Sequence, residues 1–166
     1  MKAATFCLLF FISTIAAAQG KYAGPVLKKL INKTYVNSRI LPIPAGYLYL
    51  QGSLVSALND PEKISAEIYQ KGTTVLVIFS KLTDTVKRGS TILDVLEIKG
   101  VLNGWRVVTT FCRQDRVNNF EIVALAKKSK ADYLTEIKLA WYFNRAKRQF
   151  LAIPVNGLDC FNEGGD

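Results

Sequence analysis

Residues 105–160 constrain the chain more than any other stretch, because four apolar runs follow one another there at short spacing, three of them entered through a turn signal. Asn103-Gly104 precedes Trp105–Cys112, Asn118-Asn119 precedes Phe120–Ala126, and Arg145–Arg148 separates Glu136–Phe143 from Phe150–Ile153, which Pro154 ends. Asn-Gly and Asn-Asn pairs supply the backbone conformations that tight turns demand, so the pattern predicts antiparallel neighbours. The run from Glu136 alternates without a break: Ile137, Leu139, Trp141 and Phe143 share one face, and Glu136, Lys138, Ala140 and Tyr142 share the other. That is the period of a strand with one face in a core.

The earlier half is consistent with the same class. Val75–Phe79 is apolar on both faces and predicts a central strand covered on each side. Tyr47–Gln51 alternates and Ile92–Ile98 reads as a further strand. Residues 59–71 admit two readings, a helix started by Asp60-Pro61-Glu62 or a hairpin arm; we expect a helical turn at Pro61 and a strand from about Ser65. Residues 41–46 carry Pro42 and Pro44 and are expected to be irregular. Gly24-Pro25 followed by Val26, Leu27, Leu30 and Ile31 predicts a short amphipathic helix, with Lys28, Lys29 and Lys33 directed away from the apolar stripe. The fold expected is mainly β, with α+β as the alternative. It is a single antiparallel meander forming a sandwich, a partial barrel or a curved sheet, with one or two short N-terminal helices.

The chain begins with Met1-Lys2, an apolar run to about Ile15, and the small residues Ala16–Ala18. This is the pattern of a signal peptide spanning residues 1–18, cleaved near Ala18, and it predicts a secreted or periplasmic domain of residues 19–166. Cys7 lies inside the apolar run and would leave with it. Cys112 and Cys160 remain, an even count that in an oxidising compartment predicts one disulfide. No stretch after residue 18 is long and apolar enough to span a bilayer as a helix. Asn32-Lys33-Thr34 matches a glycosylation sequon, which has meaning only in a eukaryotic source.

Histidine is absent. That excludes Ser-His-Asp and Cys-His nucleophile pairs, imidazole acid/base chemistry and histidine-bound zinc. Gly-rich phosphate loops, calcium loops and metal-ligand spacings are also missing from the sequence, and no cofactor is expected. The close carboxylate pairs are Glu62 with Glu67 and Asp94 with Glu97, and neither spacing demonstrates the facing geometry of acid/base catalysis.

The net charge is +9, and the 11 Lys/Arg against 4 Asp/Glu between Lys99 and Arg148 account for +7 of it. In an up-and-down meander alternate turns fall at one end, which would gather Arg113, Arg116, Arg145, Lys147 and Arg148 as a candidate anion site, with Asp115 as the lone acid. Lys127, Lys128 and Lys130 would lie at the other end. The competing reading is a solvated turn region in a basic protein. Nucleic acid is disfavoured as a partner, since no recognition motif or aromatic-basic interleaving is present. The leading expectation is therefore an exported, non-catalytic binding or interaction protein. The alternatives are a binder of anionic surfaces or glycans through the arginine turns, and an enzyme using a carboxylate pair in a sheet-lined pocket.

Overall fold

The computed structural model describes residues 24–36, 43–56, 59–84 and 89–164. The expected signal segment and its cleavage point lie outside the described residues, as do residues 41 and 42 of the stretch 41–46; its described part, 43–46, belongs to no helix or strand. One four-residue helix, α1 (Pro25–Lys28), opens the described chain, with Leu27 and Lys28 donating their backbone N–H to the Gly24 carbonyl. Thirteen strands follow among the described residues: β1 (Thr34–Tyr35), β2 (Leu48–Leu54), β3 (Ile64–Lys71), β4 (Thr74–Asp84), β5 (Gly89–Ile98), β6 (Trp105–Thr109), β7 (Cys112–Gln114), β8 (Val117–Asn119), β9 (Ile122–Lys127), β10 (Tyr133–Leu134), β11 (Ile137–Asn144), β12 (Gln149–Ala152) and β13 (Leu158–Phe161).

They form three antiparallel sheets, none closed into a barrel. The N-terminal sheet has the order β1-β5-β4-β3-β2, the central sheet β12-β11-β9-β6, and a small sheet β10-β13-β7-β8. Val75–Phe79 occupies the middle of the first sheet, and all five side chains are buried, as a run apolar on both faces demands. Val75, Val77 and Phe79 pack towards the central sheet against Val107, Val123, Trp141 and Phe143. Leu76 and Ile78 face the other way, into a second core closed by Leu27, Leu30 and Tyr35. A third core, containing Val108, Ala124 and Ala140, lies between the central sheet and the small sheet.

At the heart of the first interface Phe79, Phe143 and Phe150 form a triangle of rings with centroids 4.7, 4.9 and 5.4 Å apart. All three are fully buried, each contributing on the order of 2–3 kcal/mol of transfer free energy.

Three sequence expectations need correction. Trp105–Cys112 is not one strand: Thr110 adopts a left-handed φ of 67°, so the ladder stops at Thr109 and the chain re-emerges as β7 in another sheet. The antiparallel, mainly β fold expected from the sequence is thereby spread over more than one sheet, and Cys112 meets Cys160 in the small sheet as a disulfide. Ile137 does not share a face with Leu139, because a register shift between them turns Ile137 into the third core, while Leu139 packs on the first. Pro61 and Glu62 form a bend and not a helical turn, and the strand begins at Ile64.

Candidate functional site: a basic pocket over a buried aspartate

The site is built from the edge where the N-terminal and central sheets meet. On β5, Asp94 pairs with Phe79 and Ile92 with Ser80, leaving Leu93 as the extra residue of a bulge. The bulge brings Asp94 against β12 with only 7% of its surface exposed. Its Oδ2 accepts the Phe150 backbone N–H at 2.8 Å, and its Oδ1 accepts the Val95 N–H at 2.9 Å. Asp94 thus replaces the ladder that the two sheets do not share. Burial pushes its carboxyl above the ordinary carboxylate range, against the two N–H donors and the field of Lys28, which favour the charged form.

Above Asp94 lies a cavity of about 460 Å³, with Lys28, Ile31, Leu93, Lys147 and Arg148 among its walls. Lys28 is the last residue of α1. Lys147 and Arg148 are presented by the β11–β12 turn, which Asn144 shapes by accepting the Lys147 N–H at 2.8 Å and in which Arg148 takes φ 51°. Lys28, Lys147 and Arg148 therefore line one cavity with an aspartate whose oxygens already serve backbone donors. The Arg148 guanidinium stands 3.9 Å from Glu62, a carboxylate that Lys81 approaches more closely at 3.1 Å. No ion pair of Lys147 is found among the described residues. Such a group of cations has the chemistry to hold an anion, and Ile31 and the almost wholly buried Leu93 supply the apolar part of the cavity wall.

The five residues gathered by the sequence reading divide into four environments. Arg113 makes a two-pronged pair with Asp159, at 2.7 and 2.8 Å, and its guanidinium lies 3.6 Å over the ring of Tyr133 on the small sheet. Arg145 sits between Asp60 and Glu121 and bonds to both; its hydrogen bond is the main cause holding the Asp60 carboxyl below the usual range. Arg116 is exposed in the β7–β8 turn. Lys147 and Arg148 reach the cavity, joined by Lys28, which was not among the five.

The carboxylate pairs singled out above are also separated. Asp94 faces the central sheet, whereas Glu97 pairs with Leu76 and so faces the other side of the N-terminal sheet. Glu62 belongs with Lys81. Glu67 accepts hydrogen bonds from Tyr35 at 3.0 Å and Tyr69 at 2.6 Å, and burial carries both phenols well above their ordinary value. This bridge ties β1 to β3 across the sheet and carried no signal in the sequence beyond two tyrosines and an acid. Among the described residues no group of three or more histidine, cysteine or acidic side chains is placed to hold a metal ion. Comparison with protein families, with curated proteins and with solved structures found no match.

Proposed function

We propose that the chain is an exported binding protein that captures a small anionic ligand in the cavity of Lys28, Lys147 and Arg148. The observation that carries this reading is the convergence of three cations, from the first helix and the β11–β12 turn, over a half-apolar cavity. The disulfide and the absence of any described helix long and apolar enough to cross a membrane are compatible with export. A ligand bearing sulfate or phosphate on a compact ring, such as a sulfated or phosphorylated saccharide, matches both walls: the anion meets the ammonium and guanidinium groups, and the ring's apolar face meets Ile31 and Leu93. Binding alone, without turnover, is what this arrangement supports, since Asp94 is committed to two backbone donors.

Calorimetric titration with a sulfated disaccharide tests the reading. Saturable binding is expected, weakening steeply as salt rises from about 0.05 M to about 0.5 M, because the pairing charges are partly exposed. Lys147→Ala and Arg148→Ala are each expected to weaken it roughly tenfold, or about 1.4 kcal/mol. Affinity indifferent to salt and to both substitutions would falsify the proposal.

A further inference from the structure

A second surface, at the opposite edge of the N-terminal sheet, is built to receive a peptide. β2 is an edge strand of seven residues, Leu-Tyr-Leu-Gln-Gly-Ser-Leu, with no charge and no proline along it. Edge strands that must stay alone are usually shortened, charged or covered, since their free N–H and C=O groups template another strand. Leu48 is 71% exposed and Leu50 53%. Among the described residues the backbone of β2 bonds to β3 and to no other segment.

The inner side of this edge is open as well. Just beyond the end of β6, the hydroxyl of Thr110 lies 3.2 Å from that of Ser53 on β2. Beside them lies a cleft of about 310 Å³, with Ile68, Val75 and Val107 among its lining residues. A bulge between Tyr49 and Gln51 turns Leu50 over this cleft, and the exposed Leu102 stands among its walls. Arg106 stands among the walls, none of which is a carboxylate. Arg106 is held in place by Asn162 at 3.0 Å and by the Gly164 carbonyl.

We propose that an extended peptide of apolar alternation and net negative charge adds to β2 as a sixth strand. Its backbone continues the ladder, its inward side chains enter the cleft beneath Leu50, and its acidic groups meet the Arg106 guanidinium. Backbone bonding gives such a mode its affinity, and the pocket for alternate side chains gives it selectivity. A second copy of this chain is disfavoured as the occupant, because the +9 charge of each copy, with Arg106 beside the edge, would be opposed.

The test uses a synthetic peptide, Glu-Val-Thr-Val-Thr-Val-Thr-Glu, acetylated and fluorescently labelled, with Trp105 in the cleft wall as a second reporter. Saturable binding is expected, with a change in tryptophan emission that Trp105→Phe abolishes. The same peptide with alternate backbone nitrogens methylated on its bonding edge, or with lysines in place of its glutamates, is expected to bind about tenfold more weakly or worse. The exposed double substitution Leu48→Ser/Leu50→Ser is expected to do the same without unfolding the chain. Lys147→Ala is expected to leave peptide binding unchanged, which separates this surface from the basic pocket. No saturable binding, or equal binding of the methylated or lysine peptide, overturns the proposal, as does equal binding by the double variant.

Discussion

Asp94 is where one side chain does two jobs of opposite sign: it joins two sheets through backbone donors, and it suffers burial as a charge. Because its carboxyl titrates higher in the folded chain than in the unfolded one, the folded state binds the proton more tightly. Between the ordinary carboxylate value, about 3.9, and the raised one, this residue therefore makes stability fall as pH rises. Asp60 acts oppositely. Arg145 depresses its carboxyl, so its contribution is present above the ordinary value and is lost as pH falls through the depressed one. Denaturant titrations across the acid range are expected to show Asp94→Asn removing a downward slope with rising pH, at a cost of about 1 kcal/mol for the weakened acceptor. Arg145→Ala leaves Asp60 and Glu121 facing each other and is expected to lower the thermal midpoint more than Arg145→Lys does, since lysine keeps the charge but not the two-pronged reach. Phe143→Ala empties one corner of the aromatic triangle and is expected to cost about 3–5 kcal/mol in equilibrium unfolding.

Strands with strong periodicity were legible from residues alone, and their departures were not. Val75–Phe79 announced a central strand because nothing polar interrupts either face. Ile137 alternates with Leu139 in the sequence yet faces the other core, because a bulge is a backbone event that leaves the apolar pattern intact. Thr110 gave no warning either; a left-handed threonine is held by its surroundings, and no residue type marks it in advance. The same limit applies to the pocket. Lys147 and Arg148 were visible as a basic turn, but Lys28 joins them only through the tertiary packing of α1 on β5. The small sheet, whose inner face carries the disulfide, is an element with its own fate. The 48-residue separation gives the Cys112–Cys160 link a value of about 4 kcal/mol in the chain-entropy picture. In Cys112→Ser/Cys160→Ser, hydrogen exchange is expected to accelerate in β7, β10 and β13 well before the N-terminal sheet, whose core contains neither sulfur. Loss of protection everywhere at once would contradict that order.

As a whole the molecule stacks three sheets so that the two larger ones are buried on both faces, with the two proposed binding surfaces at their edges. One edge, at β5 and β12, gathers positive charge over an apolar wall; the other, at β2 and β6, presents an uncharged strand beside a cleft. A +9 chain attracts anions over much of its surface, so affinity by itself does not distinguish a site from a field. The decisive measurement is residue-resolved: amide shifts followed by NMR while a sulfated disaccharide is titrated in at moderate salt. Saturating changes confined to Lys28, Ile31, Leu93 and the turn 147–149, all fitting one dissociation constant, are the predicted result. Shifts that follow the lysines at 127–130 and Arg116 equally, or grow without saturating, would contradict it.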